Sequence, residues 1–312
     1  MKVAVIGNGN VGMAVFKELQ NMREVHEIAL VGRNKEKIEA EITDYLDAKI
    51  LRTCPTAKLC GGGYELTEGA DILIYTAGAA QKPGQSRLEL VGQNVEMTKN
   101  IFEEVNKYNR DAIIIVLSNP VDIITTAIQK FAGRPANKVI GTGTLLDTAR
   151  LRRYVSSVLD VSSSSVDVMV LGEHGDSSCI IWSALRVLGM SLDEYLSLEL
   201  EDEAMIKHNK LSAMVRQTAG KLISAKGFTA YGVAAAACRV VSAIVNDTHE
   251  ILPLTVVLNG EYDVSNLAIS VPCMIGRNGL ITTKQMKLTE SEKDDFMKSA
   301  SILQETAKQV GL

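Results

Sequence analysis

The sequence has no uninterrupted apolar run long enough to cross a bilayer; its best candidate, residues 233–245, is broken by Arg239. It has no Lys/Arg block longer than Arg152-Arg153, and its acids and bases are interspersed with a net charge of −4. Both features argue against nucleic-acid or membrane-surface partners. Its five cysteines (Cys54, Cys60, Cys179, Cys238, Cys273) are odd in number and contain no CxxC pair. That excludes a fully paired disulfide framework, leaves no cysteine metal site to expect, and reads as reduced cytosolic thiols. The opening MKVAVIGNGN breaks too early into Gly and Asn to be a signal-peptide core. No internal repeat or low-complexity linker is present. What remains is an ordinary globular balance, 46% hydrophobic and 22% charged. The expectation is a soluble cytoplasmic chain whose 312 residues suffice for two lobes in one globule.

The first half alternates strand and helix patterns. Residues 2–6 form an apolar run, and Val11, Ala14, Val15 and Leu19 then recur at helical spacing. Further strands are expected at 28–31, 72–76, 112–117 and 138–140, with helices at 35–46, 90–108 and 121–131. This alternation predicts α/β architecture, a Rossmann-type doubly wound parallel sheet over residues 1–143. The second half reads as an α+β domain over residues 144–312. Helices are expected at 144–159, 199–223 and 231–245, and strands of a small antiparallel sheet at 253–258 and 267–271. Acidic residues open a last helix towards Val310, with Thr289 as its cap.

Gly7-Asn8-Gly9-Asn10-Val11-Gly12 is a GxGxxG at a strand-to-helix turn. Its first glycine makes the turn, the second admits a pyrophosphate to the backbone, and the third permits close helix–strand packing. The helix N-terminus that follows suits phosphates. The carboxylate that normally holds a ribose 2′-OH, about 20 residues on, is missing. That place reads Leu30-Val31-Gly32-Arg33-Asn34. Gly32 removes repulsion against a 2′-phosphate and Arg33 could pair with one, so NADP tolerance stands beside plain NAD use with Arg33 as a solvated charge.

Three segments set polar residues in apolar surroundings: Ser118-Asn119-Pro120-Val121-Asp122, Leu146-Asp147-Thr148-Ala149-Arg150 and Leu171-Gly172-Glu173-His174-Gly175-Asp176. Asn119 follows a buried strand, where open α/β sheets bind ligands. Asp147 and Arg150 share one face of a helix. His174 follows the strand-like run 166–171. With KVAVIGNGNVG, AGAAQKPGQSRLELVGQN, GTGTLLDTARLR, KGFTAYGVA and LNGEYDVSNLAISVPCMIGRNG, these segments resemble the L-lactate/malate dehydrogenase family, and its lactate branch most closely.

The resemblance implies hydride transfer between NAD(P)H and a small 2-oxo acid, pyruvate foremost. Such chemistry needs a proton donor near neutral pKa, a carboxylate to orient it, a guanidinium to grip the substrate carboxylate, and a cation near the carbonyl oxygen. It assigns these to His174, Asp147, Arg150 and Arg87, the last on a lid spanning residues 79–94. Asn119 and Thr229 are assigned to the substrate pocket, and Gly7, Gly9, Asn10, Val11, Gly12, Gly32, Arg33, Thr76, Ala77, Gly78, Asn94, Ser118 and Asn119 to the cofactor. Blander readings exist for several: a helix ion pair for Asp147 and Arg150, a surface charge for Arg87, a helix cap for Thr229. His26, His208 and His249 lie outside any motif.

Gln81 stands where malate-type relatives carry Arg for a second carboxylate, so a neutral amide there disfavours oxaloacetate. Malate dehydrogenase and an L-2-hydroxyisocaproate-type enzyme are the alternatives within the family. A non-catalytic dinucleotide-binding scaffold, or an NAD-dependent glycosidase, would be an alternative outside it. The resemblance also implies a homodimer or homotetramer. In relatives activated by fructose 1,6-bisphosphate an Arg and a His grip the phosphates; Arg152 matches the Arg, but Asp167 replaces the His and would repel phosphate, so no such activation is expected.

Overall fold

The computed structural model describes residues 1–51, 57–79, 86–198 and 208–312. Parallel strands come first. β1 (Lys2–Ile6) is followed by α1 (Asn10–Leu19), β2 (Glu27–Val31), α2 (Lys35–Ile50), β3 (Lys58–Gly62) and β4 (Ile72–Tyr75). Then come α3 (Arg87–Val105), β5 (Ile113–Val116), α4 (Val121–Ala132) and β6 (Val139–Gly141). β4 and β5 are buried along their whole length and β1 and β2 nearly so, as strands covered by helices on both faces must be. Their order is β6-β5-β4-β1-β2-β3. The direction of winding therefore reverses between β1 and β4, where an open α/β sheet binds its ligand.

The second half begins with α5 (Leu145–Val158) and the short strands β7 (Val166–Asp167), β8 (Val170–Leu171), β9 (Cys179–Ile180), β10 (Arg186–Val187) and β11 (Met190–Ser191). Next are α6 (Leu192–Leu198), α7 (His208–Lys226) and α8 (Tyr231–Val245). The chain ends with β12 (Glu250–Asn259), β13 (Ser265–Gly276), β14 (Gly279–Thr283) and α9 (Glu290–Gln309). Thr289 caps α9 in a reciprocal capping box with Glu292, as the sequence predicts.

Two expectations are corrected. The antiparallel strands do not make a small separate sheet. β12 pairs with β6 through Thr255 and Gly141, so nine strands among the described residues form one mixed sheet ending β14-β13-β12-β6. Gly141 suits that junction, since a Cβ there would stand 2.6 Å from Thr125 Oγ1 and 3.0 Å from Thr255 Cβ. The expected strand over 166–171 is two pieces, β7 and β8, belonging to different small sheets. One hydrophobic core runs from β1 through α4 to β13 and α9, and a smaller one lies between α5, α7 and the short strands.

α4 is central. Val121, Asp122, Ile123, Ile124, Thr125, Ala127, Ile128 and Ala132 are all buried, so the helix is enclosed almost all round. Gly133 ends it in the left-handed region (φ 64°). Burying each of its isoleucines contributes ~1.5–3 kcal/mol, and that packing fixes the first turn, where Asp122 sits, against the second half.

Candidate active site

The glycine loop occupies the switch point. Gly7 has φ 115°, and its N–H donates to Val31 O at 2.8 Å. A Cβ on Gly12 would lie 1.9 Å from Gly7 O, so the helix start presses on the turn as the motif requires. At Gly9 a Cβ would meet nothing within 4 Å, and α1 begins with no side-chain cap on its first N–H groups. An open backbone face at an uncapped helix N-terminus fits a dinucleotide pyrophosphate, with Gly9, Asn10, Val11 and Gly12 as its cradle. Asn8 Nδ2 is buried there without a hydrogen-bond partner, a further donor for a bound nucleotide.

The β4 and β5 ends close the groove, but their side chains are spent on backbone. Thr76 Oγ1 donates to Ile6 O (3.0 Å), Ser118 Oγ to Ala77 O (2.6 Å), and Asn94 Nδ2 to Asn119 O (3.2 Å). Asn94 Oδ1 accepts from Ala79 N at 2.9 Å. These three residues hold the loop Thr76-Ala77-Gly78 in place. Beside Gly32, Asn34 caps α2, and Lys37 Nζ donates to Asn8 O at 3.0 Å. Arg33 is exposed at the rim of a cavity of about 480 Å³ with Tyr64, Met97, Ile101, Glu96 and Glu104 among its walls.

His174 follows β8 in a loop tied down residue by residue. Gly172 exchanges backbone hydrogen bonds with Ser270 of β13 (2.9 and 3.1 Å). Glu173 N–H donates to Ser299 Oγ of α9 at 2.6 Å, and His174 N–H to Asp122 Oδ2 of α4 at 2.8 Å. A glycine is required at Gly172, where φ is 84° and a Cβ would stand 2.8 Å from Ser299 Oγ. Three separate elements therefore set the position of the imidazole.

α5 supplies its partners. Asp147 Oδ2 lies 2.6 Å from His174 Nδ1, and Asp147 Oδ1 accepts from Arg150 at 3.1 Å. Asp147 and Arg150 are buried, while about a quarter of the His174 side chain reaches solvent (25%). Burial would lower the imidazole pKa, but the Asp147 charge and hydrogen bond, helped by Asp122, more than offset it and hold His174 above its ordinary value. Burial likewise would raise the Asp147 carboxyl, yet His174 and Arg150 hold it low. With Nδ1 engaged, Nε2 is the nitrogen that can exchange a proton.

Asn119 is exposed at the end of β5 beside the cofactor groove, and Thr229 is half-buried just before α8. The first turn of α8 packs near Asp147: a Cβ on Gly232 would stand 3.0 Å from Leu146. The lid segment differs from expectation in its second half, because Ser86 and Glu89 form a capping box that starts α3 at Arg87. Gln81 and the Arg87 side chain lie outside the described part of the structure. Asp122, Ser270 and Ser299 have no role assigned from the sequence; for Asp122 the signals are its place at the end of the polar segment Ser118–Asp122 and its being the lone acid of α4.

Residues 1–141 match the lactate/malate dehydrogenase NAD binding domain, and residues 144–311 the lactate/malate dehydrogenase alpha/beta C-terminal domain. An L-lactate dehydrogenase of Macrococcus caseolyticus is 38% identical over 302 residues, covering 97% of this chain and 95% of that protein. L-lactate dehydrogenase 1 of Clostridium acetobutylicum is 39% identical over 306 residues, covering 98% and 97%. Among solved structures, the minor L-lactate dehydrogenase of Enterococcus mundtii superposes with a TM-score of 0.93 at 36% identity, over 100% of this chain and 98% of that one. An NAD-binding switch point, a His–Asp–Arg cluster and full-length kinship agree: the chain belongs to the lactate/malate dehydrogenase family.

Proposed function

We propose that the chain is an L-lactate dehydrogenase, interconverting pyruvate and L-lactate. The observation that carries this reading is the shared carboxylate of Asp147, which couples a proton donor to a guanidinium within one buried cluster. A bound reduced nicotinamide supplies the hydride. Protonated His174 gives its Nε2 proton to the carbonyl oxygen, and the Asp147 charge stabilises the imidazolium beforehand. Arg150 offers its remaining N–H groups to the substrate carboxylate. Arg87 polarises the carbonyl, Asn119 and Thr229 line the pocket, and Gln81 disfavours a second carboxylate.

The cofactor reading has a coarse and a fine part. NAD use rests on the matched NAD binding domain. NADPH acceptance is the finer proposal, supported by the missing carboxylate at Gly32 and by two cations, Arg33 and Lys37, on either side of α2's cap. The fructose bisphosphate reading is supported by an exposed ion pair between Arg152 and Asp167 at 2.8 Å, which engages the cation with a carboxylate. The assembly is proposed to be a homodimer or homotetramer in the cytoplasm, with residues 1–143 and 144–312 as its two domains. No described helix is long and apolar enough to cross a membrane.

The test is oxidation of NADH followed with pyruvate, oxaloacetate and 2-oxoisocaproate in parallel. Turnover of pyruvate well above the other two supports the proposal. A preference for either alternative acid overturns it, and Gln81→Arg should move the preference towards oxaloacetate.

A further inference from the structure

A second carboxylate stands behind His174. Asp122 is 1% exposed, and among the described residues no lysine or arginine forms an ion pair with it. A buried carboxylate lacking a cation is costly, and an amide or apolar residue would fill the space with less penalty. Its Oδ2 accepts the backbone N–H of His174 at 2.8 Å, and its Oδ1 accepts the Thr255 hydroxyl at 2.5 Å. A carboxylate only accepts, so Thr255 donates to it. Ser270 Oγ, 2.8 Å away, must then donate to Thr255, and it accepts from Thr144 N–H at 3.2 Å. All the hydrogens in this chain of fully buried groups run one way, towards Asp122, and together they favour its charged form.

We infer that Asp122 is a positioning residue for the reaction, fixing the His174 backbone through its N–H while its buried charge, one hydrogen bond from that backbone, favours the proton-loaded ring. This rests on the role proposed above for His174. The charged groups acting on His174 are Asp147 and Arg150 from α5 and Asp122 from α4, with Glu173 of the same loop acting on Asp122. β12, β13 and α9 contribute the hydroxyls of Thr255, Ser270 and Ser299. Burial pushes the Asp122 carboxyl up to about 6, against the pull of Thr255 and His174.

Asp122→Asn removes the charge and can keep both neighbours: the amide oxygen accepts from His174 N–H, and the amide nitrogen donates to Thr255, whose hydroxyl then turns away from residue 122. The pH profile of kcat/KM for pyruvate reduction should keep its shape, with its high-pH limb lowered by roughly half to one pH unit. An NMR titration of isotope-labelled histidine should place the His174 transition lower by the same amount. Profiles and titrations that superimpose on wild type overturn the inference. Should Asp122→Asn fail to fold, Thr255→Val removes a donor to the carboxylate and should lower the His174 titration in the same sense; no shift there also overturns it. Wild-type protein inert towards pyruvate would overturn the proposed function instead, and the titration would still decide the role of Asp122.

Discussion

Asp147 and His174 meet at 2.6 Å through one carboxylate oxygen and Nδ1, while the other oxygen is held by Arg150. One acid thus sets both the tautomer of the ring and the position of the guanidinium. Asp147→Asn should keep the fold and lower kcat for pyruvate reduction by roughly 10²–10⁴-fold. Steady-state rates at saturating NADH check this, and a loss below tenfold would contradict it.

The pH dependence has a definite sign. His174 is held above its ordinary value of 6.5, so pyruvate reduction should be flat at lower pH and fall as pH rises through the raised value. Lactate oxidation, which needs the neutral ring, should rise over the same window. The pair's contribution to stability is full below pH 6.5 and is lost as pH rises through the folded-state value. Asp147 works in the opposite direction: its depressed carboxyl contributes above 3.8, and that is lost as pH falls. Rate profiles in both directions with thermal unfolding at each pH test the assignment; an inflection below 6.5 would refute it.

Arg150→Lys keeps the charge and loses the planar fork. It should raise the KM for pyruvate strongly, with kcat/KM down by roughly 10²–10³-fold, because a point charge cannot both hold Asp147 and grip a carboxylate bidentately. An unchanged KM would place substrate binding elsewhere.

Gly12→Ala sets a methyl 1.9 Å from a backbone oxygen that cannot swing aside. The expected cost is more than about 2 kcal/mol of stability, with weakened NADH binding. Thermal shift with and without NADH would reveal both, and a wild-type melting curve would show the turn to be looser than described.

Arg33→Ala and Lys37→Ala, alone and together, should lower kcat/KM for NADPH by roughly tenfold or more while leaving NADH nearly unchanged. Equal losses with both cofactors, or none, would leave Arg33 as a solvated charge.

Much of this fold is legible in the residues. Residues 231–245 stand out by their alanine-rich apolar pattern and form α8 with those bounds, and Thr289 announces the start of α9. β3 escapes notice because KLCGG is poor in β-branched residues and ends in two glycines; it is held by pairing with β2. α2 runs on to Ile50, past the expected 46, because Asp47, Ala48 and Lys49 carry no stop signal. Motif spacing brings out His174, Asp147 and Arg150, but which atom of Asp147 serves which partner depends on helix rotation. Asp122 stands out in sequence only as the lone acid closing Ser118–Asp122; its role does not, because its partner lies 52 residues away and is a backbone N–H. No pattern of side chains encodes such a contact.

The seam at Thr255 and Gly141 has a consequence for any attempt to dissect the chain. Cutting between residues 141 and 144 would look natural, since the two matched family domains meet there. Yet the cut would strip β6 and β12 of each other and leave each fragment with a raw strand edge. Each piece expressed alone should self-associate, whereas co-expressed pieces could re-form the ladder. The two halves are separable as text and inseparable as hydrogen-bonded fabric.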